Sequence, residues 1–202
     1  MDTIPFLRID SLKYLDYSKI SLNLYKNEII SISGESGAGK SLFLKAIIDL
    51  IPSSGDISIG NINRNSLPAH QWRKKIGLLA TESFWWGDTI GGNIPEIKTE
   101  RLNALNFKKD IYLKPFHILS TGEKQRLAFL RILENKPEVL LLDEPTASLD
   151  SENTAKFENL VLKIVKEQEV AMIIVSHNRE QRLRLATRHF KFINQKLIPD
   201  SP

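Results

Sequence analysis

Apolar and polar residues alternate with two different periods along this chain, and the switches between them mark its elements. Residues 4–9 form a short alternating run. Ile20, Leu22 and Leu24, separated by Ser21 and Asn23, form another, and both read as half-buried antiparallel strands. Glu28-Ile29-Ile30-Ser31-Ile32-Ser33 is a denser apolar strand, and Leu42 to Ile51 reads as a helix stopped by Pro52-Ser53-Ser54-Gly55. Gly55–Asn61 reads as a strand and its turn, Pro68–Lys75 as a short helix, and Lys75–Ala80 as a buried strand. Residues 91–118 hold several turn formers and no sustained period, which predicts a compact, partly helical insertion. A helix then opens within Leu119–Arg126 and runs to about Asn135. Val139-Leu140-Leu141-Leu142 is wholly apolar, as in a strand covered on both faces of a parallel sheet. Phe157, Leu160, Val161, Ile164 and Val165 mark one face of a helix that Asp150 caps. Val170–Val175 is a further buried strand, and residues 190–198 suit a last short strand with its turn. Strands alternating with helices predict an α/β fold with a mostly parallel sheet behind an N-terminal antiparallel portion.

Chemistry enters at Gly34–Ser41, GESGAGKS, between a strand and a helix. The spacing G-x-x-x-x-G-K-[ST] in that setting is a phosphate-binding loop. Gly34, Gly37 and Gly39 allow positive φ, so successive N–H groups form an anion nest at a helix N-terminus. Lys40 adds a point charge for the β- and γ-phosphates, and Ser41 offers a hydroxyl to Mg²⁺. Glu35, Ser36, Ala38 and Leu42 complete the contact stretch. Asp143-Glu144 ends the apolar strand, where two carboxylates are costly without a cation nearby. Ser176-His177 ends the next one, and ligands of open α/β sheets sit at such carboxyl ends. Tyr14 and Tyr17, ahead of the loop, are candidates to stack on an adenine ring, or to pack on the core.

Composition narrows the class. The 202 residues suit one domain over 1–202, with 82–118 as a reduced insertion, and 42% hydrophobic residues suit a packed core. Lys plus Arg is 28 against 24 acids, a net +4, which fits a nucleotide or anionic surface and demands no nucleic acid. With no cysteine there is no disulfide framework or Cys-based zinc site. No secretory signal and no run near 18 apolar residues appear, which points to the cytoplasm.

Taken together, these residues resemble the ATP-binding cassette family, the nucleotide-binding subunits of ABC transporters. GESGAGKS looks like Walker A, LSTGEKQR (119–126) like the family signature, LLLDEP (140–145) like Walker B, SLD (148–150) like the D-loop, and His177 like the switch histidine. The resemblance covers essentially the whole chain and implies a P-loop NTPase core of ABC type. It implies ATP and Mg²⁺ as ligands, Glu144 and His177 as catalytic residues, Asp143 and Ser41 at the metal, and Tyr14 as the better match to the adenine-stacking aromatic. Two copies, alike or paired with a related chain, would sandwich two ATP, with Ser120, Gly122 and Glu123 of one facing the γ-phosphate of the other. The partner would be an integral membrane permease, placing the chain peripherally at the inner face of the membrane. Its sequence departs from the family at Thr121, where a glycine is usual, at Asn27, which replaces a turn glycine, and at Thr81-Glu82. The family ends that strand with a glutamine reaching the metal and the lytic water, so Thr81 or Glu82 is expected to ligate instead.

Two further readings compete. A soluble cassette acting on DNA or ribosomes would carry a long heptad insertion or a second loop, and neither is present. A non-hydrolysing regulator is disfavoured by Lys40, Asp143, Glu144 and His177. Phe84-Trp85-Trp86 cannot all point into one core from a strand, so at least one is expected at the surface as part of a docking site for the membrane subunit. The competing expectation is a local core under residues 91–118.

Overall fold

The computed structural model describes residues 4–94 and 96–201. In chain order, β1 (Leu7–Tyr14), β2 (Ile20–Leu24) and β3 (Ile29–Gly34) lead into α1 (Lys40–Ile47). β4 (Ser53–Ile59), the short β5 (Ile62–Asn63), α2 (Ala69–Lys75) and β6 (Ile76–Leu79) follow. α3 (Thr99–Ala104) and two 3₁₀ turns precede α4 (Thr121–Glu134), then β7 (Val139–Asp143), α5 (Ser151–Gln168), β8 (Ala171–Val175), α6 (Arg179–Leu185), β9 (Arg188–Ile193) and β10 (Lys196–Pro199).

Two sheets result: an antiparallel one ordered β2-β1-β4-β5, and a six-stranded one ordered β10-β9-β3-β8-β7-β6, parallel except for β10. Every residue of β7 and β8 is buried, as the apolar runs require. The pairings Ile32↔Val175, Asp143↔Val175 and Leu79↔Leu142 bring the carboxyl ends of β3, β8, β7 and β6 to one level. The phosphate loop, Glu144, His177 and Thr81 therefore leave the sheet along a single edge.

The first strand runs to Tyr14 rather than ending near residue 9. Ser11 takes φ 53°, and the register shifts between Ile9 and Leu12 against β2 and between Asp10 and Lys13 against β4. A bulge inserts extra residues and moves the alternation out of phase. Leu12 and Tyr14 then share the buried face with Leu7 and Ile9. Gly55, at φ 98°, passes the bulge so closely that a Cβ there would lie 2.5 Å from the Ser11 carbonyl oxygen, and β4 begins before it, at Ser53.

The segment after β6 is packed rather than loose. Ile90, Ile94, Ile97, Leu102, Leu105, Phe107 and Ile111 are buried with Phe129 of α4 and Phe157 of α5. Asn93, 3% exposed, ties its first turn: its Oδ1 accepts from the Trp86 and Gly87 N–H groups, and its Nδ2 donates to the Gly87 and Thr89 carbonyls. Among the described residues no helix is long and apolar enough to cross a membrane.

Candidate active site

The loop after β3 takes the backbone its glycines allow: Gly34, Gly37 and Gly39 have φ 142°, 78° and 98°. A Cβ on Gly34 would stand 2.8 Å from the Phe192 carbonyl oxygen, so glycine there answers a close approach as well as a dihedral. α1 starts at Lys40 with no side chain capping it, which leaves its first N–H groups aimed into the loop. Lys40 is buried, and its ammonium donates to the Gly34 and Glu35 carbonyls at 2.8 and 2.7 Å. Burial lowers its pKa, while the Glu144 and Asp143 carboxylates pull it back up.

Asp143, 5% exposed, closes β7. Glu144 sits at φ 48° and donates its N–H to the Val175 carbonyl at 3.0 Å, which turns its side chain toward the segment after β8. There the His177 N–H donates to Glu144 Oε2 at 3.4 Å, and His177 Nε2 lies 3.5 Å from Glu144 Oε1. Glu144 Oε1 is buried with no hydrogen-bond partner among the described residues. Burial pushes the Glu144 carboxyl above the usual range; His177 and Lys40 oppose this and Asp143 adds to it. Glu144 thus combines a left-handed backbone with a buried carboxylate oxygen that has no partner among the described residues.

Ser36, Gly37, Gly39, Lys40, Ser41, Leu42, Thr81, Asp143, Glu144 and His177 surround one cavity of about 270 Å³. Residues far apart in sequence thus converge as expected. Thr81 is among them; Glu82 is not, but it lines the larger neighbouring cleft together with Ser41, Thr81 and Asp143. Glu35 and Ala38 belong to the loop without lining the cavity. Tyr14 also needs correction: it is 1% exposed, packed in the core and stacked on Tyr17 with ring centroids 4.8 Å apart, leaving no open ring face. Tyr17 is the ring at the loop, close enough that a Cβ on Gly39 would fall 2.4 Å from it.

The signature stretch lies outside this cavity. Ser120 caps α4, and its Oγ accepts from the Glu123 N–H at 3.2 Å while Glu123 Oε2 accepts from the Ser120 N–H and hydroxyl at 2.9 Å. Gly122 packs so close to the Ser148 carbonyl that a Cβ would come within 2.6 Å. One tie was not foreseen: buried Gln125 donates from Nε2 to the Ala80 carbonyl at 3.1 Å, fastening α4 to the residue before Thr81. Its place two residues after Glu123 on a buried helix face was the only available signal.

Comparison with known proteins decides the family. The ABC transporter family pattern matches residues 17–147. The chain is 30% identical over 195 residues to the probable iron export ATP-binding protein FetA of Escherichia coli K12, covering 88% of this chain and 87% of that one. The chain belongs to the ABC transporter family. As a member it is an ATP-binding, ATP-hydrolysing cassette. Further relatives include the phosphate import ATP-binding protein PstB 2 of Shouchella clausii, 34% identical over 89% of this chain and 75% of that one. The lipoprotein-releasing system ATP-binding protein LolD of Rickettsia bellii is 34% identical over 82% and 81%. The cassette also shares its fold with the dimeric ATP-binding cassette MJ0796 bound to ADP and Pi, at TM-score 0.82 and 23% identity over 97% of this chain and 99% of that one. It shares it also with CbiO1 from Clostridium perfringens, part of the ABC transporter complex cbiONQ, at TM-score 0.78 and 23% identity over 96% and 87%.

Proposed function

We propose that the cassette hydrolyses Mg-ATP between two head-to-tail copies, or one copy and a related chain, and powers a separate membrane permease. The observation that carries this is the single cavity shared by Lys40, Ser41, Thr81, Asp143, Glu144 and His177. ATP is the substrate. Its phosphates suit the loop N–H groups, and Lys40 exchanges its two carbonyl contacts for phosphate oxygens. Tyr17 is the ring placed to meet the adenine. Ser41, Thr81 and Asp143 are hard oxygen donors of the kind Mg²⁺ prefers. When bound there, Mg²⁺ neutralises charge on the phosphate oxygens.

Glu144 orients and deprotonates the attacking water, and its raised pKa makes the carboxylate a better base. His177, at 3.5 Å, reports on that carboxylate and can turn its ring to the γ-phosphate. The α4 N-terminus, with Ser120 and Gly122, completes the site from the opposite chain, where its dipole and N–H groups favour an anion. Glu123 acts there through Ser120, whose N–H and hydroxyl it holds.

The permease docks in the cleft beside β6, of about 710 Å³, whose rim carries Thr81, Glu82 and Phe84. Phe84 and Trp86 are 86% and 72% exposed, whereas Trp85 is half-buried against Phe116, so the aromatic patch divides between surface and core. Through that partner the cassette is held at the cytoplasmic face of the membrane. Phosphate release from ATP by the purified protein tests the catalytic half: turnover with Mg²⁺ and none with EDTA is expected. No turnover by the cassette, alone or with its permease, would defeat it.

A further inference from the structure

Four cations line the 710 Å³ cleft, Lys45, Arg73, Lys74 and Arg131, against the exposed acid Glu82 and the buried Asp143 at its floor. Like Arg131, Arg73 and Arg179 pair with no carboxylate among the described residues, but both are exposed, whereas Arg131 is half-buried. Arg126 reaches Asn153 Oδ1 and the Leu105 carbonyl, Arg182 pairs with Asp200 at 3.2 Å, and Arg184 pairs with Glu158 at 2.8 Å. Among the described residues Arg131 donates only to the Phe84 carbonyl, at 3.0 Å, and its guanidinium lies 4.8 and 5.0 Å from the ring centres of Trp85 and Trp86. Burial lowers its pKa and no carboxylate among the described residues opposes that. The Trp85 indole N–H is likewise buried without an acceptor among the described residues.

Arg131 therefore brings donors, and no carboxylate partner among the described residues, to the wall of a cationic cleft. A half-buried charge without a partner is costly in the free chain. The two indole rings fix the guanidinium, so its unused N–H groups form a rigid fork suited to a carboxylate. Lys45, Arg73 and Lys74 add a field of the same sign. Resting on the reading that a permease segment fills this cleft, we propose that the segment carries an aspartate or glutamate whose carboxylate pairs with Arg131. The Trp85–Trp86–Arg131 unit would then choose an acidic segment over a neutral or basic one, by the penalty of leaving Arg131 unpaired.

A photo-crosslinking residue at position 84, on the exposed rim, tests this in cells that make the protein. The expected product joins position 84 to a short cytoplasmic segment of a multi-span membrane protein containing an acid. Arg131→Glu should lower the crosslink yield about tenfold or more, the scale of disrupting a buried charge pair. Changing the identified acid to lysine should restore it. Arg131→Met keeps the apolar stem over the indoles, and should lose the crosslink while the free cassette keeps its melting temperature and basal phosphate release. A crosslinked permease segment without an acid, or one indifferent to Arg131→Glu, overturns the pairing and leaves the docking reading standing. Crosslinks to lipid alone, or to no membrane protein, overturn both.

Discussion

Trp85 and Trp86 are neighbours in sequence with opposite structural roles, and truncating each separates the roles. Trp85 packs on the larger core cluster, stacks on Phe116 at 5.5 Å and supports the Arg131 guanidinium. A fully buried Trp→Ala costs about 3–5 kcal/mol, and half-burial, with the Phe116 stack lost as well, brings Trp85→Ala to about 1.5–3 kcal/mol. For a chain of this size that lowers the melting temperature by about 4–10 °C. Trp86 is 72% exposed and makes one cation–π contact, so Trp86→Ala should cost under about 1 kcal/mol and move the melting temperature by less than about 3 °C. Differential scanning fluorimetry of both variants, with and without Mg-ATP, reads this directly. Equal destabilisation would refute the assignment of Trp85 to the core and Trp86 to the surface. So would a larger loss for Trp86.

Three further outcomes follow from the site. Lys40→Ala should weaken ATP binding by about 1.5–3 kcal/mol, the scale of a charged hydrogen bond, and titration calorimetry showing unchanged affinity would remove Lys40 from the phosphate site. Tyr14→Phe removes a buried hydroxyl that has no partner among the described residues and should leave stability intact, whereas Tyr17→Ala should weaken ATP binding; unchanged affinity in Tyr17→Ala would remove Tyr17 as the adenine platform. Burial raises the folded-state pKa of Glu144, so its favourable contribution is present below the unfolded value and lost as pH rises through the folded one. Glu144→Gln should therefore melt above the wild type near pH 8, with the gain shrinking toward pH 4, and a gain that grew on acidification would contradict that sign.

Much of this architecture is legible in the sequence because its signals are local. The apolar runs of β7 and β8 need burial on both faces, and the glycine spacing of 34–39 needs positive φ, whatever surrounds them. The Ser120–Glu123 capping box and the Asp150 cap formed as their spacing predicts. What sequence misplaced depends on register. The bulge at Ser11 breaks the two-residue alternation, so β1 appears to stop early and Tyr14 looks like a loop residue instead of a core one. Thr81 and Glu82 differ by one position, and the pairing of β6 with β7 sets Thr81 on the phosphate cavity and both residues on the cleft beside it. Gln125 and Arg131 carry no motif. Their meaning comes from a carbonyl on β6's exit and two indoles that fold back over α4.

The central claim is that Glu144 drives hydrolysis in a two-chain sandwich. The most direct measurement compares Glu144→Gln with the wild type for phosphate release, and by light scattering in Mg-ATP, with the permease present if the free chain stays monomeric. The account predicts retained ATP binding, turnover reduced about 100-fold or more as expected for loss of a general base, and an accumulated ATP-bound dimer. Wild-type turnover in the variant would contradict it, as would a variant that binds ATP yet never pairs with a second cassette.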